Sequence, residues 1–219
     1  MCFAASTRGG KTFLLKRLLR SQFLQQTDYL VVFSPTCKMS GDWVEFPENA
    51  DPKRGKVIQY FEDENEFIKI FKEIIESQKK LLDKHRKSEI PHVFIVLDDC
   101  LGTKILRLGG PVDSFSVKSR HYNVSMAVLA QKITAIPRTL RLNQRYFFMF
   151  NSANFSELER FITEYCPAKY KKTVLDALEE IYNVDYNFIL VDNFERALKN
   201  RLWLNGEDNL IEKFKSDSK

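Results

Sequence analysis

Residues 4–13 read AASTRGGKTF, and the part from residue 5 to residue 12 fits the pattern G-x-x-x-x-G-K-[ST] everywhere except at its first position. Gly9 and Gly10 let the backbone approach phosphate oxygens and turn its N–H groups toward them. Lys11 would bring positive charge to the β- and γ-phosphates, and Thr12 would offer a hydroxyl to Mg²⁺. The stretch therefore predicts a phosphate loop that binds a nucleotide. Its expected binding residues are Ser6, Thr7, Arg8, Gly9, Gly10, Lys11, Thr12 and Phe13.

The loop departs from its pattern at Ala5, where glycine is usual. Alanine needs a backbone angle open to a residue with a β-carbon, so we expect the start of the loop to differ slightly from the common form. The flanking sequence supports the prediction, because a short apolar run, MCFAAS, precedes the loop. After it, KTFLLKRLLRSQFLQQ carries Phe13, Leu14, Leu18 and Leu19 at helical spacing. The N-terminus of such a helix favours a bound phosphate.

Short β-rich runs alternate with amphipathic helical runs along the whole chain. The predicted strands are MCFAAS, DYLVVFSP, KVIQYF, HVFIVLDD, NVSMAVLAQ, RYFFMFNS and YNFILVDN. The predicted helices are KTFLLKRLLRSQFLQQ, DENEFIKIFKEIIESQKKLLDKHRK, NFSELERFITEY and YKKTVLDALEEIYN, whereas FERALKNRLWLN fits neither pattern. The alternation predicts an α/β fold with a mostly parallel central sheet and helices on both faces. A length of 219 residues with 44% hydrophobic content favours one domain over residues 1–219.

Two acids, Asp98 and Asp99, end the apolar run VFIVLDDC. Ligands of parallel sheets bind at the carboxyl ends of the strands, so we expect these acids at the same edge as the loop. Asp98 is the natural partner of Mg²⁺, together with Thr12. Asp99 would orient or deprotonate a water at the γ-phosphate. Gln131 ends the run SMAVLAQ, where its amide would read the γ-phosphate and hold that water or, alternatively, only cap the strand.

The composition argues against several other classes of protein. No apolar run reaches membrane-spanning length, and the first residues are too weakly apolar for a signal peptide, so we expect a cytosol-like compartment and no membrane partner. The four cysteines and three histidines are widely separated, which argues against a zinc site. Residues 114–156 contain no acid but two lysines and four arginines, within a net charge of +5 for the chain. Such a segment favours a polyanion, either nucleic acid or nucleotide phosphates.

The segment RHYNVSMAVLAQKITAIPRTLRLNQRYFFMF adds a third group of motifs to AASTRGGKT and VFIVLDDC. Its features are Arg120–His121 before a strand, Gln131 at the end of that strand, then Ile136–Pro137 followed by Arg141 and Asn143. Together the three groups resemble the genome-packaging ATPases of large DNA viruses, the poxvirus-type branch of the FtsK–HerA superfamily, which has relatives in virophages and other viruses with double jelly-roll capsids. The resemblance covers roughly residues 2–150, the ATPase core, and leaves residues 151–219 for C-terminal helices and a last strand.

This resemblance implies a RecA/ASCE-like P-loop NTPase that uses ATP and Mg²⁺ to move double-stranded DNA, whatever its sequence, into a preformed capsid. It also implies a ring, usually a hexamer, that works at a capsid vertex or on a capsid protein. Such a viral protein would act in the cytoplasm or virus factory of the infected cell, with retention in the virion as an additional option. Catalysis would use Lys11, Asp98, Asp99 and Gln131, with an arginine finger from the neighbouring subunit. By motif position Arg141 is the first choice for the finger. The runners-up are Arg138, Arg145 and Arg120.

Three other functions stay open at this stage. A different DNA pump of the same superfamily would have the same active-site residues and would differ in capsid association. A small nucleotide kinase would share the phosphate loop but transfer phosphate to an acceptor. A nucleotide-binding structural protein would show no turnover. For the packaging motor, the loop CLGTKILRLGGPVDSFSVKSRHYN would contact DNA phosphates through Lys104, Arg107 and Lys118.

Overall fold

In a computed structural model of the protein, the described residues are 1–43, 46 and 57–215. They form an α/β fold in which most strand pairs are parallel, as the sequence predicts. The chain divides into two compact units, one made of Met1–Lys11 with Ala130–Lys219 and the other of Thr12–Leu129. The assignment of residues 1–219 to a single ATPase domain stays a prediction.

The unit Thr12–Leu129 contains four parallel strands in the order β3-β2-β4-β5. The bounds are Tyr29–Phe33 for β2, Val57–Phe61 for β3, Val93–Asp98 for β4 and Val124–Ala130 for β5, whose last residue belongs to the other unit. The helices of this unit are α1 (Lys11–Leu18), α2 (Cys37–Ser40), α3 (Glu64–Leu82) and α4 (Pro111–Ser116). All six residues of β4 are buried, as in a parallel strand covered on both faces.

The helix predicted after the phosphate loop is confirmed, but its buried face is different from the expected one. Leu15 and Leu19 are buried, whereas Phe13 is 73% exposed. The regular helix α1 ends at Leu18, and a π-helical turn continues the chain over Leu19–Phe23. Phe13 is therefore on the surface at the end of the loop rather than in the core.

Helix α3 forms where its sequence pattern predicts a long amphipathic helix. The side chain of Asp63 caps its N-terminus by accepting a hydrogen bond from the backbone N–H of Glu66 at 2.8 Å. Phe67 and Phe71 are buried on its apolar face, and the ring of Phe67 stacks on that of Phe33 in β2, with 4.8 Å between centroids. The spacing of apolar residues thus fixes which face of α3 packs against the sheet.

The other unit contains the strands β1 (Cys2–Ala4), β6 (Tyr146–Phe150), β7 (Phe188–Asp192), β8 (Leu202–Leu204) and β9 (Asp208–Asn209), in the order β1-β6-β7-β8-β9. Its helices are α5 (Arg138–Asn143), α6 (Phe155–Tyr165), α7 (Lys171–Asp176), α8 (Leu178–Tyr182) and α9 (Leu210–Lys215). The sequence predicts a single helix over YKKTVLDALEEIYN. The structure divides it at Ala177 into α7 and α8. Strand β8 lies in the segment that fits neither sequence pattern.

The predicted last strand is confirmed as β7, but it runs antiparallel to β6. Phe150, at the end of β6, pairs with Phe188, at the start of β7. The turn before β7 therefore lies at the edge of the sheet where β6 ends. Strand β1 is parallel to β6, and the rings of Phe3 and Phe148 stack across this pair with 4.4 Å between centroids. The end of β1, where the phosphate loop begins, shares that edge.

No helix in the described part of the chain is both long and apolar enough to cross a bilayer. The four cysteines, Cys2, Cys37, Cys100 and Cys166, are buried free thiols. Within residues 1–43, 46 and 57–215, no group of three or more His, Cys, Asp and Glu side chains is arranged to hold a metal ion.

Candidate functional site

The phosphate loop begins between the ends of two strands. The backbone N–H of Ala5 donates to the carbonyl of Ala130, at the end of β5, with 3.2 Å between N and O. The next N–H, of Ser6, donates to the carbonyl of Asn151, just past β6, at 3.4 Å. The Ser6 hydroxyl in turn accepts from the N–H of Ala153 at 3.1 Å. The first turn of the loop is thus held on both sides by the carboxyl ends of strands.

Ala5 fits the loop because its position does not need a left-handed backbone. Positive φ angles occur instead at Arg8 (62°) and Gly10 (88°), while the side chain of Ala5 is buried. A β-carbon added to Gly9 would lie 2.8 Å from the β-carbon of Ala5 and 2.9 Å from the carbonyl oxygen of Ser6. Glycine is therefore required at position 9, and the alanine at position 5 strengthens that requirement. Thr7 and Arg8, at the tip of the loop, are exposed.

Lys11 folds back over the loop. Its ammonium group donates hydrogen bonds to the carbonyl oxygens of Ala5, at 2.9 Å, and Ser6, at 3.0 Å. These bonds hold a positive charge above the backbone N–H groups of the loop, where an anionic ligand is most favourably bound.

Thr12 and Asp98, which are 86 positions apart in the sequence, meet in the structure. The Thr12 hydroxyl donates to Oδ2 of Asp98 at 3.2 Å, and the Asp98 side chain is only 7% exposed. A hydroxyl and a carboxylate at this distance are hard oxygen ligands of the kind that Mg²⁺ prefers. Two protein ligands are also a suitable number, because Mg²⁺ usually keeps its remaining positions for phosphate oxygens and water.

Trp43 contacts the same carboxylate and has no counterpart in the sequence-based predictions. Its indole N–H donates to Oδ2 of Asp98 at 2.8 Å, and the whole side chain is buried. A buried tryptophan needs an acceptor for its N–H, so Trp43 both packs against Asp98 and fixes the orientation of its carboxylate. The rings of Trp43 and Phe46 meet edge to face with 5.6 Å between centroids, and the ammonium of Lys16 lies 5.4 Å from the Trp43 ring centroid.

Asp99 follows the last residue of β4 in a left-handed conformation, with φ of 52°. Aspartate tolerates this region better than most residues, and such backbone strain is common at functional sites. Its side chain is half-buried. Burial raises the pKa of the adjacent Cys100 thiol well above its usual value, and the charges of Asp98 and Asp99 raise it further. Cys100 is therefore a protonated core residue rather than a nucleophile.

Gln131 comes directly after Ala130, whose carbonyl accepts the N–H of Ala5, so its backbone lies next to the start of the phosphate loop. The segment that follows is held by the buried carboxylate of Glu157 in α6. Glu157 accepts from the N–H of Ile133 at 2.6 Å and from the hydroxyl of Thr134 at 3.0 Å. These bonds hold the segment that follows Gln131, while the role of Gln131 toward a γ-phosphate stays a prediction.

Arg141 lies in a place that does not suit an arginine finger. It is 2% exposed, and its guanidinium donates to Oε2 of Glu164 at 2.8 Å. A finger must reach across to another subunit, which this burial disfavours, and the role that motif position assigns to Arg141 stays a prediction. Among the runners-up, Arg145 is paired with Asp192 at 3.2 Å. The side chain of Arg138 is 72% exposed. Its guanidinium lies 4.0 Å from Glu164, a longer distance than in the Arg141–Glu164 and Arg145–Asp192 pairs. Arg120 is also exposed.

The family described as Poxvirus A32 protein matches residues 1–214. The chain belongs to the poxvirus A32 protein family. This confirms the resemblance to poxvirus-type genome-packaging ATPases, and an A32-family chain with this phosphate loop is an ATPase. No curated protein matches the chain.

Solved structures similar to this A32-family chain share its P-loop ATPase fold. The DNA-packaging ATPase B204 from Sulfolobus turreted icosahedral virus has a TM-score of 0.62 and 13% identity, over 93% of this chain and 94% of B204. B204 from Sulfolobus turreted icosahedral virus 2, in complex with ATP-gammaS, has a TM-score of 0.58 and 14% identity over the same shares. EssC (ATPases 2 and 3) from Geobacillus thermodenitrificans has a TM-score of 0.52 and 14% identity, over 99% of this chain and 42% of EssC. The predicted fold class is confirmed.

Replacing Gly9 by alanine should weaken nucleotide binding at least about tenfold, because the new β-carbon forces the loop away from Ser6 and Ala5. Isothermal titration calorimetry with ATP would measure the loss, and urea unfolding would show whether the fold persists. The matched control is Ala5→Gly, which should bind normally. The double variant Ala5→Gly/Gly9→Ala should remain impaired, since the Ser6 carbonyl still blocks the β-carbon. Wild-type affinity in Gly9→Ala would contradict this account of the loop.

Proposed function

We propose that this A32-family ATPase is a motor that uses ATP hydrolysis to move double-stranded DNA into a preformed capsid. The observation that carries the proposal is the hydrogen bond between Thr12, which ends the phosphate loop, and Asp98, which ends a buried strand. Support comes from the family and from similar folds described as genome-packaging or DNA-packaging ATPases.

The nucleotide is ATP, and the metal is Mg²⁺. The loop amides and Lys11 would bind the phosphates, while Thr12 and Asp98 would hold the metal, which neutralises phosphate charge when bound. Trp43 keeps Oδ2 of Asp98 turned toward the Thr12 hydroxyl. The buried setting of Asp98 favours this use, because electrostatic attraction to a cation is stronger where water is excluded.

Hydrolysis needs a water that is oriented and deprotonated in line with the γ-phosphate. Asp99 would perform this step, because its half-buried carboxylate follows Asp98 directly and its left-handed backbone directs it away from the path of β4. Gln131 would hold the same water from the end of β5. Lys11, Asp98, Asp99 and Gln131 are thus the proposed catalytic residues of one subunit.

The motor is a ring, most simply a hexamer, and the finger that completes each site is Arg138 rather than Arg141. Its guanidinium is largely exposed, so it can reach a neighbouring subunit and neutralise charge in the transition state. The buried Arg141–Glu164 pair would then support the helix that carries Arg138, since both arginines belong to α5 and face Glu164.

DNA is bound through phosphates by the loop after β4. Lys104 and Arg107 are exposed, while Ile105 and Leu106 between them are buried. The N–H of Ile105 donates to Glu64 at 3.0 Å, which anchors the loop to α3. The loop is sharply turned, because a β-carbon on Gly110 would lie within 2.9 Å of two backbone carbonyls. The positive side chains of Lys104 and Arg107, held on a short and anchored loop, can bind the regularly spaced phosphates of a DNA strand.

The remaining partners belong to the same proposal, which membership of the poxvirus family supports. The ring would act on a capsid vertex or capsid protein, in the cytoplasm or virus factory of the infected cell. Association with capsids separates this proposal from other DNA pumps of the same fold. Co-sedimentation with assembled capsids, compared with an unrelated particle of similar size, would test it.

ATP hydrolysis by the wild-type chain should be stimulated by duplex DNA. Lys11→Ala should abolish hydrolysis and weaken ATP binding, because the phosphate charge is left uncompensated. Asp99→Asn should reduce the hydrolysis rate by about 100-fold or more while ATP binding persists, since asparagine keeps the left-handed backbone but cannot accept the proton. Phosphate release and calorimetry would measure the two effects. Acceptor-dependent ADP formation would indicate a kinase instead, and undetectable turnover with DNA present would indicate a structural nucleotide-binding protein.

Replacing both Lys104 and Arg107 by alanine should flatten the salt dependence of DNA binding. Each lost phosphate contact lowers the slope of log K against log salt by about 0.9. Fluorescence anisotropy with a duplex of random sequence, at several salt concentrations, would measure the slope. The matched control, Lys72→Ala/Lys79→Ala on α3, removes the same charge elsewhere. Equal slopes in the wild type and the Lys104/Arg107 variant would refute this DNA contact.

Arg138→Ala and Lys11→Ala subunits should each be inactive alone but regain activity when mixed. In a randomly mixed ring with equal amounts of both, about a quarter of the sites would join an intact loop to an intact finger. Arg141→Ala should instead lower the thermal stability, because it leaves the half-buried Glu164 with only its weaker contact to Arg138, and mixing should not restore that stability. No recovery on mixing in assembled rings would exclude Arg138 as the finger.

A further inference from the structure

A cavity of about 350 Å³ opens beside the phosphate loop, within the unit that contains the loop and the C-terminal strands. Its walls include Ser6, Arg8 and Gly9 of the loop and Asn151 at the end of β6. The opposite wall is the turn between α8 and β7, residues 183–187. The volume is within the range of about 300–1,000 Å³ that is usual for small-molecule sites. None of the roles assigned above to catalytic residues uses this cavity.

The direction of β7 explains why the cavity adjoins the loop. The first N–H groups of the loop bond to the ends of β5 and β6, so one side of the loop borders Asn151. Because β7 is antiparallel to β6, the turn that precedes it returns to this same edge. A parallel last strand would have placed its starting turn at the other edge of the sheet.

Tyr186 is the most unusual residue of this turn. Its backbone has φ of 65°, a left-handed conformation that is rare for an aromatic residue, yet its side chain is 68% exposed. The ring lies close to the loop, since a β-carbon on Gly10 would be 3.1 Å from its Cδ1 atom. A strained backbone that presents an exposed ring to a glycine of the phosphate loop gains little for the fold. Strain of this kind is characteristic of ligand sites.

The rest of the turn is firmly anchored. The hydroxyl of Tyr182, at the end of α8, donates to the carbonyl of Met149 at 2.9 Å. The side-chain amide of Asn187 donates to the carbonyl of Ile181 at 2.8 Å and accepts from Asn205 at 2.8 Å. These bonds fix both ends of the turn, so Tyr186 is presented by a rigid support. Asp185 and Val184 flank it on the exposed side.

We propose that the cavity binds the nucleoside half of the nucleotide, with the base stacked on the ring of Tyr186. The inference rests on the proposed function, because it requires the triphosphate to lie on the adjacent loop. Stacking on an aromatic ring recognises the face of a base and supplies affinity without a strict choice among bases. The exposed carboxylate of Asp185 and the guanidinium of Arg8 are charged groups that border the same cavity. Tyr186 is thus a binding residue for the base, not a catalytic residue.

The test compares ATP with inorganic tripolyphosphate, which has the phosphates but no nucleoside. Tyr186→Gly removes the ring and also relieves the left-handed backbone, so the fold should be at least as stable as in the wild type. We expect its affinity for ATP to fall about tenfold, and its affinity for tripolyphosphate to stay unchanged. Tyr186→Phe, which keeps the ring, should bind ATP as the wild type does. Calorimetry on the full chain with Mg²⁺ would measure all of these affinities.

Phe194→Ala is the matched control, because it removes another exposed aromatic ring of the same unit. Wild-type ATP affinity in Tyr186→Gly would overturn the proposal. An equal loss for ATP and tripolyphosphate would also overturn it, because the ring would then support the loop rather than a base. A wild-type protein that binds ATP normally but never hydrolyses it would contradict the motor function and leave the base site intact. A wild type without ATP affinity would contradict both.

Discussion

One carboxylate oxygen, Oδ2 of Asp98, receives hydrogen bonds from both the Thr12 hydroxyl and the Trp43 indole. It joins the end of the phosphate loop to the tip of the central strand β4 and is buried almost completely. A buried polar group is costly unless it is hydrogen-bonded, and the two donors meet part of that cost. Both donors are neutral groups. This local arrangement explains how a buried acid can serve a metal site.

The alternation of strands and helices was predictable because buried strands and amphipathic helices leave different periodicities. Strands β2 to β6 and helices α3 and α6 occur where those periodicities place them. The direction of β7 was not predictable, since a strand carries the same alternation whichever way it runs. The division of one predicted helix into α7 and α8 was likewise hidden, because Ala177 is compatible with either. These features depend on tertiary packing rather than on local pattern.

Site residues that belong to a sequence motif could be predicted, whereas contacts that depend on tertiary packing could not. The phosphate loop and the meeting of Thr12 with Asp98 follow from the motifs. Trp43 lies in a segment without a periodic pattern, so nothing in its neighbourhood links it to Asp98. Arg141 is the opposite case, in which motif position suggests a role at a subunit interface for a side chain that is buried. The acid-free segment misleads in the same way, because Arg141 and Arg145 are paired with acids from later in the chain.

The pairing of β1 with β6 has a consequence for how the protein is made. Phe3 is synthesised 145 positions before its partner Phe148. The phosphate loop therefore lacks one of its two supporting strands until Tyr146–Phe150 has been synthesised. Nucleotide binding requires that late pairing and would stabilise it by mass action once it forms. Prematurely terminated chains should consequently lack the stabilisation by nucleotide that protects the complete one.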